Sequence, residues 1–348
     1  MEVDNLLYEY NDEYMQIYSG SSNRGLAKKI AELMGTKLGQ IEISQFAGGE
    51  TKIWVKEKKI DKEVVVVQSL STPTNENLVE FCLICDGLHR AGASEITAVI
   101  PWMGYSKQDK VFRPGEPLSC KVVAQIIQTA HLSKIVTIDL HNRATLGFFD
   151  TPIVELSAKS LLVEYFRKLI NESHGRTRGS APTEHGRIHG FAPTEHGRIH
   201  GFAPTENHYL VVAPDAGAVK ASAAFANELG IPIVYMDKKR DLDTGEVKVV
   251  GMNGSVVGKD VLLIDDNVFT GATLLETAKV LKESGAKSIR VGLTHHLYID
   301  GVQEKIEESE IDEIVVTDTV SMVNGQWSMV GGKLKILSVA GLIVDEIG

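Results

Sequence analysis

Paired carboxylates ahead of a turn of small residues form the first candidate site. Asp265 and Asp266 directly follow a short apolar run at residues 261–264, and a helical pattern begins at 274. The turn between them contains Thr270, Gly271, Ala272 and Thr273. Free N–H groups at a helix start suit a phosphate, and carboxylates accept hydrogen bonds from vicinal hydroxyls. The pattern predicts a sugar-phosphate site; the alternative is an aspartate that caps a helix in an ordinary loop.

A cluster of cations follows another apolar run. Lys238, Lys239 and Arg240 come just after residues 231–236. At a strand end, Lys238 and Arg240 could close over a polyphosphate and stabilise the charge that develops in phosphoryl transfer. Taken alone, a solvated run of charges is the simpler interpretation of this segment.

Two further polar residues follow predicted strands. His141 comes after the run 135–140, and Asp215 comes after the run 210–213. A carboxylate near phosphate groups most often binds Mg²⁺, partly through water, so Asp215 is a candidate metal ligand. His141 is a candidate second ligand or a hydrogen-bond donor to phosphate, and a core or turn histidine is the alternative.

The remaining polar motifs are weaker. Lys107 and Gln108 lie in a loop after residues 96–101, where they are candidates to contact the phosphates of a nucleotide. Cys82 and Cys85 are spaced like a metal or redox motif, but they lie in an apolar helical stretch. We therefore predict that the two cysteines are buried packing residues.

Short apolar, β-branched runs must position all these residues. Such runs are typical of strands buried on both faces of a parallel sheet. They occur at residues 64–68, 96–101, 135–140, 210–213, 231–236, 261–264, 289–293 and 314–316, with helical patterns between them at 78–89, 122–130, 219–229 and 274–282. The alternation predicts an α/β fold of mostly parallel sheets flanked by helices, in which ligands bind beyond the carboxyl ends of the strands.

The two halves of the chain are alike. Residues 61–69 align with 258–266, and each segment is followed by a Thr-containing turn, an amphipathic helix and a Gly stop before the next strand. We infer a duplicated α/β domain. Only the second copy has paired carboxylates, because Gln68 and Ser69 occupy the equivalent positions in the first copy.

Composition excludes several classes of protein. The 348 residues carry a formal charge of −10, which argues against wrapping a nucleic acid, because counterion release needs a basic face. No apolar run approaches the roughly 20 residues of a membrane span. Three cysteines and an acidic N-terminus, in place of a basic apolar signal, indicate a cytoplasmic protein.

A perfect tandem repeat interrupts the chain. A unit of eleven residues begins at Ala181 and again at Ala192, and each unit contains one Pro and two Gly. Such a unit is too short to bury a stacked core, so we expect an exposed insertion spanning residues 172–206. Metal binding by the paired histidines of each unit is the less favoured alternative, because the Gly between them weakens a helix.

Taken in order, the motifs resemble the ribose-phosphate diphosphokinase family, which makes phosphoribosyl pyrophosphate. The resemblance is carried by residues 18–23, 46–50, 97–101, 105–110, 139–141, 147–150, 214–217, 237–240, 265–273 and 316–319. It covers nearly the whole chain except the acidic start and the repeat. It implies two phosphoribosyltransferase-like domains and a homo-oligomer, commonly a hexamer.

The resemblance also implies a reaction and a set of site residues. ATP gives its β,γ-diphosphoryl group to the C1 hydroxyl of ribose 5-phosphate and AMP is released. The residues implied to bind ATP are Phe46, Gly49, Glu50, Lys107 and Gln108, and of these Phe46 and Glu50 contact adenine across a subunit boundary. Those implied to bind ribose 5-phosphate are Arg240, Asp265, Asp266, Thr270, Gly271, Ala272 and Thr273. Catalysis is implied for Lys238 and Arg240, and Mg²⁺ binding for His141 and Asp215.

The chain departs from the family pattern at four places. Gly48 stands where Asp or Asn is common, Lys107 where Arg is usual, and Phe269 where the sugar-phosphate loop usually begins with Asp. The order Gly271-Ala272 inverts the usual small residues and resembles the loop of a nucleobase phosphoribosyltransferase. That class is the main enzymatic rival, and a non-catalytic regulatory subunit of the synthetase family is the other.

These observations predict a division of the chain. The expected parts are an acidic extension at 1–14, an N-terminal α/β domain on the ATP side at 15–160, the insertion at 172–206, a C-terminal α/β domain on the ribose 5-phosphate side at 207–332, and a segment at 333–348 that packs back on the N-terminal domain.

Overall fold

The computed structural model describes residues 15–177, 208–240, 247–322 and 332–348, with side chains in those ranges except 174–177 and 238–250. The acidic start and most of the expected insertion lie outside the described residues. Residues 172–177, the start of that insertion, continue a helix rather than forming a loop. No helix within the described ranges is long and apolar enough to cross a membrane.

The first half of the chain forms a parallel sheet with a separate hairpin. In the described residues, five strands pair in the order β1-β4-β5-β6-β7, all parallel. The elements are β1 (Gln16–Ser19), α1 (Arg24–Leu33), β2 (Ile41–Gln45), β3 (Thr51–Val55), β4 (Glu63–Val67), α2 (Thr74–Arg90), β5 (Glu95–Ile100), α3 (Ser119–Gln128), β6 (Leu132–Ile138) and β7 (Ile153–Leu156). Strands β2 and β3 form an antiparallel hairpin whose apolar side packs with α2.

The valine run of β4 shows why this sheet is buried on both faces. Val64 and Val66 belong to the apolar cluster that includes Phe81 of α2, whereas Val65 and Val67 belong to the cluster on the α1 side. Alternate residues of a strand point to opposite faces, so a run of four valines packs against both layers. All four are at most 1% exposed.

The second half forms the larger sheet. Among the residues that the structure describes, seven strands pair in the order β10-β9-β8-β11-β12-β13-β14, and only β10 is antiparallel to its neighbour. The elements are α4 (Lys159–Thr177), β8 (Tyr209–Ala213), α5 (Val219–Leu229), β9 (Ile233–Arg240), β10 (Val247–Met252), β11 (Asp260–Val268), α6 (Ala272–Glu283), β12 (Ser288–His296), α7 (Val302–Glu307), β13 (Glu313–Thr317), β14 (Leu334–Leu337) and α8 (Ala340–Ile347).

The architecture confirms the predicted α/β fold with two similar halves. The β4-α2-β5 unit and the β11-α6-β12 unit have the same order and parallel pairing. Their first strands also begin at the aligned residues Glu63 and Asp260. Cys85 is fully buried in α2 and Cys82 is partly buried there, as predicted for packing residues.

Among the described residues, three strands continue well beyond the ends predicted from the sequence, and one of them is β12, which continues from the predicted end at 293 to His296. Strand β9 continues through Arg240, so the cations lie within the strand rather than after it, because antiparallel pairing with β10 extends it. Strand β11 continues through Val268, so Asp265 and Asp266 are strand residues. Its pairing with the long strand β12 supports this extension.

The C-terminal residues contact both halves. Strand β14 pairs with β13 in the second sheet, while α8 packs in one apolar cluster with α1. Ile343 of α8 is fully buried in that cluster, as is Ile30 of α1. Glu346 forms an ion pair with Lys134 at the start of β6, with 2.6 Å between Oε1 and Nζ.

His296 makes the stability of the fold sensitive to acid. Burial lowers its pKa from 6.5 to about 4, and its Nδ1 accepts a hydrogen bond of 3.0 Å from the Tyr298 N–H. Because the folded pKa lies below the unfolded one, this contribution to stability is complete above about pH 6.5 and is lost as the pH falls toward 4. At pH 5 the loss is about 2 kcal/mol.

We predict that His296→Gln, which cannot titrate but keeps an acceptor atom, weakens this acid sensitivity. Urea unfolding at pH 7.5 and pH 5 measures the loss of unfolding free energy for both proteins. The variant should lose about 2 kcal/mol less than the wild type between the two pH values. Equal losses in the two proteins would contradict the assignment.

Candidate functional site

The carboxyl ends of the two sheets meet around one cavity of about 710 Å³. It brings together nine of the residues predicted from the sequence: Lys107, His141, Asp215, Asp265, Asp266, Thr270, Gly271, Ala272 and Thr273. Lys107 and His141 follow strands of the first sheet, and the others follow or end strands of the second. The general rule that ligands bind beyond strand ends therefore identified, from the sequence, residues that line one cavity.

The other predicted residues lie elsewhere. Phe46, Gly49 and Glu50 form the turn of the β2–β3 hairpin and line neither this cavity nor the second one, which is described below. Gln108 lines only the second cavity. Lys238 and Arg240 end β9, and their side chains lie outside the described residues.

The paired aspartates lie where β11 extends beyond the neighbouring strand β8. The pairing of β8 with β11 ends at Leu263, whereas that of β12 continues to Val268. Beyond Leu263, β11 continues without β8 beside it, and both Asp265 and Asp266 line the cavity. Asp265 Oδ1 accepts a hydrogen bond of 2.8 Å from the Asp266 N–H, which orients the Asp265 carboxylate relative to the backbone of its neighbour.

The two carboxyl groups differ in their tendency to ionise. Desolvation within the cavity and the adjacent Asp266 raise the pKa of Asp265 to about 7. The pKa of Asp266 is lowered despite desolvation, because His141 donates to it. The distance from His141 Nδ1 to Asp266 Oδ2 is 2.7 Å, and this contact raises the pKa of His141. The His141–Asp266 pair thus links the first sheet to the second within the site.

The turn before α6 leaves the first N–H groups of the helix without a capping side chain. Gly271 has φ of 73° and stands at the N-cap, a left-handed conformation that glycine adopts without steric cost. Glycine has no side chain with which to cap the first turn, so the N–H groups at the start of α6 are available to a ligand. Asp215 has a structural role as well, since its Oδ1 accepts from the Ala218 N–H at 3.0 Å.

Asp139 sets the direction of the His141 segment. Its φ is 37°, an uncommon value for a residue other than glycine, and its Oδ2 accepts hydrogen bonds from Thr294 Oγ1 at 2.7 Å and the Ala158 N–H at 3.0 Å. His295 Nε2 lies 3.1 Å from the Ile138 oxygen and 3.2 Å from the Asp139 oxygen. These contacts hold the turn through which β6 leads to His141.

His295 completes this interdomain contact. It is fully buried, and burial lowers its pKa, so the ring is neutral. Carbonyl oxygens only accept, so Nε2 carries the proton, while Nδ1 lies 2.9 Å from Thr319 Oγ1. Sequence reasoning missed Thr294 and His295, although they follow the predicted strand 289–293 and the strand-end rule could have selected them.

We predict that Thr294→Val, which keeps the shape of the side chain, destabilises the protein by about 1.5–3 kcal/mol, because the Asp139 carboxylate loses the hydrogen bond that the Thr294 hydroxyl donates. Thr129→Val is the matched control, since the exposed Thr129 hydroxyl donates only to the local Ile126 carbonyl. Urea unfolding measures both. A loss for Thr294→Val no larger than that for Thr129→Val would contradict the role of Thr294.

Both halves of the chain match family models. Residues 15–130 match the model described as the N-terminal domain of ribose phosphate pyrophosphokinase. Residues 202–329 match the model described as the phosphoribosyl transferase domain. Together, the two models cover more than half of the chain.

Full-length relatives show the same similarity. The chain is 34% identical over 337 residues to a ribose-phosphate pyrophosphokinase of Fusobacterium nucleatum, covering 97% of this chain and 95% of the relative. It is 32% identical over 333 residues to that of Thermosipho africanus, covering 96% and 93%. The crystal structure of phosphoribosylpyrophosphate synthetase from Mycobacterium smegmatis superposes with a TM-score of 0.78 at 28% identity, covering 96% of this chain and 98% of that one.

Proposed function

Because the chain belongs to the ribose-phosphate pyrophosphokinase family, we propose that ATP and ribose 5-phosphate meet in the cavity between its two sheets. The enzyme transfers the β,γ-diphosphoryl group of ATP to the C1 hydroxyl of ribose 5-phosphate, which yields phosphoribosyl pyrophosphate and AMP. The single observation that supports this placement best is the His141–Asp266 contact of 2.7 Å, which joins the nucleotide side to the sugar side.

Ribose 5-phosphate fits the second sheet. Its phosphate would bind the N–H groups of the turn formed by Thr270, Gly271, Ala272 and Thr273, where the positive end of the α6 dipole also favours an anion. Its ring hydroxyls would donate to Asp265 and Asp266. This arrangement directs the C1 hydroxyl away from the phosphate loop and toward the nucleotide.

ATP fits the first sheet and a neighbouring subunit. Lys107 and Gln108 would contact the phosphates and the nucleoside. Phe46 is 54% exposed at the hairpin turn with Gly49 and Glu50, and none of the three lines the cavity of its own chain. Phe46 and Glu50 would therefore contact the adenine bound by a second copy of the chain. We propose a homo-oligomer, a hexamer by family resemblance.

The donor groups of the cavity suit Mg²⁺. In the described residues, no three His, Cys, Asp or Glu side chains cluster to hold a metal by themselves. Mg²⁺ commonly uses one or two carboxylates and completes its shell with water and substrate phosphates, so Asp215 is the main proposed ligand and His141 a less usual second one. When bound, the ion would neutralise phosphate charge and orient the diphosphoryl group. The cytoplasmic location expected from the sequence stays a prediction.

The cations of β9 would assist the transfer. Tyr235 is paired with Ala213, the last residue of β8, so β9 runs five residues farther and extends roughly 16 Å beyond the edge where Asp215 lies. Lys238 and Arg240 belong to this extension. Phosphoryl transfer depends on positioning and on neutralising charge, and two cations supply this without covalent chemistry.

We predict that the protein forms AMP from ATP only when ribose 5-phosphate and Mg²⁺ are both present, as measured by chromatographic separation of nucleotides. A nucleobase phosphoribosyltransferase would instead release pyrophosphate from phosphoribosyl pyrophosphate and a base. That result without AMP formation from ATP would refute the proposed function. Neither activity in a folded protein would favour the regulatory-subunit alternative.

Lys238→Ala should lower turnover by roughly 100- to 1,000-fold, because a cation that stabilises developing charge is lost. Lys239→Ala is the matched control, since Lys239 occupies the alternate position of the same strand. We expect less than about threefold change for it. AMP formation at saturating substrates measures both, with circular dichroism to verify folding. Near-normal turnover of Lys238→Ala would contradict its assigned role.

A further inference from the structure

Phe269 and Lys107 form a wall between two cavities. The cavity that holds the proposed active site and a second cavity, each of about 710 Å³, share these two side chains in their linings. Lys107 comes from the loop after β5 in the first half, and Phe269 comes directly after β11 in the second. The wall is therefore made of one residue from each half of the chain.

The Lys107 ammonium lies on the face of the Phe269 ring. Its Nζ is 4.6 Å from the ring centroid, well within the range of a cation–π contact. The ring also contacts Trp102, which is 4% exposed and meets it edge to face, with the centroids 5.9 Å apart at 65°. Trp102 in turn contacts the buried His295 at 4.8 Å. The buried interdomain contact thus supports the ring that carries the cation.

The Phe269 ring contacts the Lys107 ammonium without neutralising its charge. Within the described part of the chain, Lys107 Nζ forms no ion pair or hydrogen bond, although its charge helps to lower the pKa of Asp266. An ion pair with a carboxylate would neutralise Lys107 and occupy its donors. A ring face attracts the ammonium through its quadrupole and leaves N–H donors that point away from the ring for a phosphate.

We propose that Phe269 is a positioning residue that holds the Lys107 ammonium over its ring and so couples nucleotide binding to the sugar-phosphate loop. The inference rests on the proposed function. Phe269 directly precedes Thr270, so a ligand that orders the loop also orders the ring and the cation on it. Coupling of this kind is reciprocal, so each substrate should strengthen binding of the other.

The test is a double-mutant cycle on the full-length chain. Phe269→Leu removes the π face, Lys107→Met removes the charge, and Phe269→Tyr is the control that keeps the face. The probe is ATP with a methylene group in place of the α,β-bridging oxygen, which cannot react, and titration calorimetry gives its Kd with and without ribose 5-phosphate. If Phe269→Leu fails to fold, judged by circular dichroism, Phe269→Met replaces it.

We expect Phe269→Leu to weaken binding of the analogue about three- to tenfold and to reduce its enhancement by ribose 5-phosphate, while Phe269→Tyr stays within about twofold of the wild type. In the Lys107→Met background, Phe269→Leu should change the Kd by less than about twofold. A purely structural role would give the same loss in both backgrounds, and that result would overturn the proposal. So would wild-type binding by Phe269→Leu.

The two proposals fail in different ways. A wild-type protein that forms no AMP and does not bind the analogue refutes the proposed function, and this inference with it. A wild-type protein that forms AMP, combined with zero coupling between residues 107 and 269, overturns the positioning role alone and leaves the proposed function intact.

Discussion

The contact between the carboxyl ends of the two sheets is the constraint on which the site depends. It is polar and buried: His295 meets the backbone at the end of β6, and Asn23 Nδ2 donates to the carbonyl oxygens of Asp318 at 2.8 Å and Thr319 at 3.1 Å. A buried polar group that loses its partner costs about 1–3 kcal/mol, so a docking geometry that breaks these hydrogen bonds is disfavoured. The two halves therefore dock in one geometry, and this geometry closes the cavity.

The same constraint explains why a duplicated fold has one site. In the first half, Gln68 and Ser69 occupy the positions of the paired aspartates. Gln68 Oε1 accepts from Ser22 Oγ at 2.6 Å, and Ser69 Oγ donates to the Thr319 carbonyl at 2.5 Å. Even a Cβ at Gly20 would lie 2.2 Å from Gln68 Oε1. The first half fills the positions equivalent to the paired aspartates with side chains that bond to its own residues and to Thr319, and it uses that edge for docking. Paired carboxylates at a strand end therefore line the cavity from the second half.

Local patterns predicted the layers and the strand-end residues, because burial on both faces leaves a continuous apolar signal in a strand such as β4. They did not predict where a strand ends when pairing with a neighbouring strand sets its length. The residue types of Asp265 and Lys238 do not show that pairing with β12 and β10 extends the strands that contain them. His295 was missed for a related reason. The hydrogen-bond partners of His295 are carbonyl groups more than 150 residues away in sequence, and a local sequence pattern cannot predict a contact over that separation.

The fold also resolves an apparent conflict of charge. With 46 acidic and 36 basic residues, the chain as a whole should repel phosphate groups. Screening limits that repulsion to about 8–10 Å at physiological salt, so the local arrangement of charges decides binding. Residues that follow the carboxyl ends of parallel strands lie at one edge of the sheet, and for this reason Lys107, His141 and the start of α6 line the same cavity. A parallel sheet therefore concentrates a few cationic and N–H groups at one edge, beside the carboxylates of Asp215, Asp265 and Asp266 that line the same cavity. These neighbouring groups act on a bound phosphate more strongly than the distant acidic surface does.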